Sequence, residues 1–182
     1  MSAVYLAPAP NGQRIKGRNP GLRTRQALPR TVPRPFLRAL RVRSMATAAP
    51  LPPIMDANRR AKVFNHKGLA DDNTRLALLG AALLVTIATL YKLAQYDHGA
   101  TGQVTSERSL LVRQEAMASY AVHYSLQNHL RARENVEHVQ NTPSAQATLF
   151  EAYVAAVFVE SNFNFAFVRD WLFSLWNLRT PQ

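Results

Sequence analysis

The feature that most constrains this chain is a run of sixteen residues, 76–91, that carries no charge and is bounded by Arg75 and Lys92. A helix rises about 1.5 Å per residue, so the run covers about 24 Å, short of the ~30 Å hydrocarbon layer of a membrane. It is also rich in alanine rather than long aliphatic side chains. A downstream helix with residues 110–122 is amphipathic and needs a partner, and residues 150–158 form a second apolar helix too short to span a bilayer. Segments of this kind pack on one another, so the run predicts the buried central helix of a globular core. A single membrane span is the rival reading, and it is disfavoured.

Helix signals punctuate the chain on both sides. Asp56 stands where a first short helix can begin. Asp71, Asp72, Asn73 and Thr74 offer caps and a negative first turn to a long helix from about Thr74 to Gln95. The Gly99–Gly102 stretch breaks the chain. Thr105 or Ser106 can then cap a third helix running to about Tyr124, with Leu110, Leu111, Met117, Ala121 and Val122 at roughly helical spacing. After Asn141-Thr142-Pro143, Ser144 caps a helix to about Glu160, and a last helix runs from about Phe167 to Leu178. No segment alternates as a strand does, and no repeat is evident. The predicted class is all-α, with a domain over residues 56–179.

Charge separates that domain from what precedes it. The chain carries a net charge of +11, but residues 1–50 hold ten Lys/Arg and no acid, leaving twelve bases and eleven acids in the rest. The basic balance thus belongs to the first fifty residues and does not make the domain a nucleic-acid binder. Seven of the eleven prolines also lie there, which favours extended, disordered chain. Residues 36–43 form one short amphipathic, Arg-rich helical candidate. Arginine-rich, acid-free and amphipathic describes an organellar transit peptide, so residues 1–50 are expected to direct the protein to the mitochondrial matrix, a plastid being the alternative. A disordered RNA-contacting tail is the plainer reading. The chain has no cysteine, which removes disulfides, thiolate metal ligands and a thiol nucleophile.

Four blocks in order carry a family pattern: His66 with its neighbours Val63 to Gly68; Arg75-Leu76-Ala77-Leu78-Leu79-Gly80-Ala81-Ala82-Leu83-Leu84; Arg108 to Ala118; and Ala147 to Glu160. The second resembles, without a gap, the Arg-Leu-Glu-Phe-Leu-Gly-Asp-Ser/Ala-Val-Leu line of ribonuclease III domains. The last is similar to that family's Ala-Asp-x-Phe-Glu-Ala-x-Ile-Gly-Ala-Ile-Tyr-Leu-Asp. The resemblance covers about residues 63–171 and implies an all-helical endonuclease-type bundle that commonly dimerises.

It also implies where the catalysis should sit. In the family, two acids on each of two helices converge on Mg²⁺, which activates water and stabilises charge on phosphate oxygens. Those positions fall here on Ala77 and Ala81, and on Thr148 and Glu151. Only Glu151 keeps a carboxylate, and one carboxylate does not hold Mg²⁺ against water. No catalytic residue, metal or cofactor is therefore expected. Glu151 is expected to be a structural carboxylate, hydrogen-bonded or paired with a base, and His66 a structural hydrogen-bonding group.

The candidate phosphate contacts are Arg59, Arg60, Lys62, Lys67, Arg131 and Arg133, the last two beside His129 but opposed by Glu134 and Glu137. The C-terminal block is rich in aromatics. It reads first as core, with Phe165, Trp171 and Trp176 as candidates for an assembly interface. The resemblance points to the non-catalytic ribonuclease-III-like proteins of the mitochondrial large ribosomal subunit. Expected partners are ribosomal RNA, mitochondrial ribosomal proteins, and a second ribonuclease-III-like chain or a second copy. The alternatives are a divergent ribonuclease III using Glu151 in RNA processing, and a small single-span mitochondrial membrane protein.

Overall fold

The computed structural model describes residues 49–96 and 100–177. The leader over residues 1–50, apart from its last two positions, and the candidate helix at 36–43 lie outside the described residues, as does the expected domain end at 178–179. The described residues form seven α-helices and one 3-10 turn, with no strand among them. The all-α class is what the sequence predicts.

Helix α1 is Ala57–Phe64, and the Asp56 carboxylate caps it by accepting from the Arg59 backbone N–H at 2.7 Å. Helix α2 is Thr74–Gln95. Of the four candidate caps before it, Asp72 does the capping. Its Oδ1 accepts from the Thr74 hydroxyl at 2.7 Å and the Thr74 backbone N–H at 3.0 Å, and these bonds hold its carboxyl below the usual carboxylate range. Asn73 is buried instead and donates to the Val63 carbonyl, tying the end of α1 to the start of α2.

The predicted third helix is two helices. Helix α3 spans Thr101–Val112 and α4 spans Gln114–His123, separated by Arg113 in an extended conformation. No Gly or Pro marks the break. Packing accounts for it: α3 lies on α2, whereas α4 packs chiefly on the later α6, and one straight helix cannot face both. Leu110 and Val122, expected on the apolar face, are exposed, while Met117 and Ala121 are buried. A 3-10 turn at Leu126–His129 and a short α5, Val136–Gln140, lead to α6, Pro143–Glu160. Pro143 occupies the first turn of α6, where its missing N–H costs nothing. Helix α7 is Phe165–Asn177, started by Asn164, whose side chain accepts from the Phe167 N–H at 3.0 Å.

The most deeply buried helix is α6, not the uncharged α2. From Leu149 to Val157 apolar residues of α6 are buried all round its circumference, as in a helix enclosed by others. Helix α2 buries one stripe, Ala77, Gly80, Leu84, Ile87, Ala88 and Tyr91, and packs it on α6. By length and composition α2 is apolar enough to cross a membrane. Its opposite face, with Leu78, Val85, Leu90 and Leu93, is exposed. Lys92, 5% exposed, sets α3 against α2 through Glu107 at 3.4 Å and is further bonded to Gln95 at 3.1 Å.

The segment at residues 49–55 runs as a strap held at three points. The Tyr124 hydroxyl donates to the Ala49 carbonyl at 3.0 Å, and the Tyr153 hydroxyl donates to that of Pro52 at 2.7 Å. The Met55 N–H donates to Glu160, which also pairs with Arg59. Burial, with Tyr124 close by, pushes the Tyr153 hydroxyl up to about 12. The packed body therefore reaches upstream of residue 56, to Ala49.

Candidate functional site

The positions where the family pattern places acids lie along the α2–α6 seam. Gly80 sets the spacing of that seam. A Cβ at this position would overlap the Glu151 carbonyl and come 3.1 Å from its Cα, so the two backbones touch where any side chain would hold them apart. Ala77, one turn earlier, is 5% exposed. Ala81 and Thr148 are partly exposed, and so is Glu151. Burial pushes the Glu151 carboxyl above its ordinary range. The expected hydrogen-bond donor or base for it is absent among the described residues; the carboxylate sits half-buried without one.

A donor set of two methyls, one hydroxyl and one carboxylate does not fit Mg²⁺, which takes several hard oxygen ligands in octahedral geometry. Among the described residues no three His, Asp or Glu side chains converge as a metal site would need. His66 bonds through its ring, with Nδ1 3.2 Å from the Lys67 carbonyl, and through its backbone. Its backbone N–H donates to the Arg131 carbonyl at 2.8 Å, and the Arg131 N–H donates to the Phe64 carbonyl at 2.7 Å. This isolated bridge joins two segments far apart in sequence.

The basic candidates divide. Arg59 is occupied by Glu160, and Lys62 pairs with Asp71 at 3.2 Å. Arg60, Lys67, Arg131 and Arg133 are exposed and have no ion-pair partner among the described residues. The fold brings Arg60 and Arg131 to one cleft and leaves Lys67 and Arg133 outside its lining.

The interface candidates are corrected more sharply. Trp171 and Trp176 belong to the core: Trp171 Nε1–H donates to the Tyr124 hydroxyl at 3.2 Å, and Trp176 packs on Tyr91 with centroids 5.2 Å apart. Phe165 is partly exposed. The open apolar side chains include Leu78, 77% exposed, along α2, and Phe163 and Phe167 at the α6–α7 corner. Residues 78, 82, 85 and 93 share that open face of α2, but nothing in the sequence sets them apart from the buried stripe. An uncharged run hides which of its faces is covered.

Residues 74–162, a span holding both helices of the seam, match the family model of the Ribonuclease III domain. Ribonuclease 3 of Streptococcus uberis is 31% identical over 107 residues, 53% of this chain and 46% of that protein. The nuclease domain of Ribonuclease III from Campylobacter jejuni superposes with a TM-score of 0.64 at 24% identity, over 70% of this chain and 88% of that one. Dicer from Pichia stipitis gives 0.60 at 27% identity, covering 72% and 58%. The architecture is thus that of an all-helical nuclease domain. The chain carries a ribonuclease III domain, and it spans about half the length of the curated relatives it matches.

Proposed function

We propose that this chain is a non-catalytic ribonuclease-III-like protein, a pseudoenzyme that serves as an RNA-associated structural component of the mitochondrial large ribosomal subunit. The observation that carries the reading is the state of the seam. Three of the four acid positions are Ala77, Ala81 and Thr148, Ala77 is enclosed by packing, and the remaining Glu151 stands alone as a half-buried carboxyl. The shape of the domain persists where its metal-binding charge does not. The ten bases and no acids of residues 1–50 support import into the mitochondrial matrix.

The exposed apolar face of α2 supports pairing with a second ribonuclease III domain, in another chain or another copy. Leu78, Val85 and Leu93 line a helix face with no charge between residues 76 and 91, a surface that single soluble domains seldom leave open. In this reading the protein works by shape: one face takes a partner domain, and basic side chains elsewhere meet phosphates.

Gradient sedimentation of mitochondrial lysate is the direct test. The protein is expected with the large subunit, and a peak wholly apart from ribosomes sinks the proposal. Incubation with duplex RNA and Mg²⁺ is expected to leave the RNA intact. Cleavage that Glu151→Ala abolishes would establish the enzymatic alternative.

A further inference from the structure

The strap, α1 and the 3-10 turn enclose a cleft of about 830 Å³, within the ~300–1,000 Å³ typical of ligand sites. One wall is a single face of α1: positions 57, 60, 61 and 64 follow the i, i+3, i+4, i+7 stripe and all line the cleft. The facing wall runs from Leu126 to Arg131. Phe64 and His129 meet edge to face across it, with centroids 5.4 Å apart at 61°. Tyr124 and Tyr153 complete an aromatic lining. Arg60 and Arg131, both exposed and without an ion-pair partner among the described residues, line the cleft, and no Asp or Glu does. Arg131 is held in place, because its backbone N–H and carbonyl are both bonded to the segment at Phe64–His66.

Aromatic walls with two unpaired arginines suit a ligand that is both flat and anionic. We infer that the cleft binds an unpaired nucleotide of a single-stranded RNA segment, with Arg60 and Arg131 on its phosphates and Phe64 and His129 against its base. The inference rests on the RNA-associated reading above and adds to it the kind of RNA and the place. A duplex fits the chemistry poorly: its base faces are covered by stacking and only base edges, 2′-hydroxyls and backbone face a protein, whereas an unpaired base can leave the strand and enter a concave aromatic site. Arginine suits the role, since its planar fork bonds phosphate oxygens in pairs.

The test measures binding of the full chain to a short, labelled, unstructured RNA oligonucleotide and to a duplex RNA, across a salt series. The double variant Arg60→Ala/Arg131→Ala is expected to lose about tenfold or more in affinity for the single strand. Its log–log salt slope should fall by about 1.4, the value for two lost phosphate contacts on single-stranded nucleic acid. Duplex binding should change less, and the melting temperature should hold, because both side chains are exposed and unpaired. Phe64→Leu keeps apolar packing but removes the ring; it is expected to weaken single-strand binding with the slope unchanged. Lys67→Ala/Arg133→Ala, outside the cleft, should weaken single strand and duplex alike, and cost the single strand less than the cleft pair does. Equal losses for single strand and duplex, or the same loss from the control pair, overturn the cleft while leaving RNA association standing. A wild-type chain that sediments with the large subunit yet binds no oligonucleotide overturns the cleft alone. One that does neither overturns both proposals.

Discussion

At Gly80 a single hydrogen in place of a methyl decides how closely two helices approach. Gly80→Ala must push the α2 and α6 backbones apart, since the obstacle is the backbone of Glu151 and not the end of a flexible side chain. The expected cost is about 1–3 kcal/mol of stability, the range for overpacking a tight site, measured by urea unfolding. The glycine itself is visible in the sequence; its reason is not, because the obstacle is contributed by a residue seventy-one positions later. Glu151 supplies a second prediction, through pH. Burial raises its carboxyl above the ordinary 4.5, so the fold favours the protonated form. Its contribution is fully present below that value and is lost as pH rises through the raised one. Glu151→Gln should therefore melt with the wild type in acid and above it at neutral pH. A constant difference across the pH range would show that charge is not the cause. The sequence marked this residue as a surviving acid but supplied no sign of its isolation.

The helices themselves show what a pattern discloses and what it conceals. Asp72 at the start of α2 and Pro143 at the start of α6 mark boundaries by local chemistry, and local chemistry is legible in a sequence. The division between α3 and α4 at Arg113 has no such marker, for it answers to which neighbour each half packs on. The same holds for α2 and α6. Both read as apolar, yet α6 is enclosed and α2 is covered on one side only. That open side yields a prediction at the scale of the element. Leu78→Asp places a charge on a residue 77% exposed, so the folded monomer should keep its melting temperature within a few degrees. Association with a second copy, or with a partner ribonuclease III domain, should weaken by tenfold or more, an order-of-magnitude expectation for a charge placed in a packed apolar interface. Sedimentation velocity reads both outcomes, and an unchanged association constant would remove α2 as the pairing face.

At the scale of the molecule, charge and fold are carried by different stretches of chain. Removing residues 1–48 deletes ten bases and no acid, lowering the net charge from +11 to +1, while every hydrogen bond of the strap remains. The shortened chain should melt as the full one does but lose most of its salt-sensitive, sequence-independent affinity for RNA. A large drop in melting temperature would mean that the leader contributes to the folded body. The all-α class and the order of the helices were readable because each rests on its own stretch of residues. The cleft was not, although positions 57, 60, 61 and 64 already formed its stripe, because its other walls come from the strap and from residues 124–131. The strap also gives the domain a mechanical polarity. Its locks follow one another along the chain, at Ala49, Pro52 and Met55. A pull on the N-terminal end therefore loads them singly, as a zipper opens tooth by tooth, before any force reaches the α2–α6 seam. A chain drawn end-first through a narrow pore would yield from this side in small steps, each resisted by one or two hydrogen bonds.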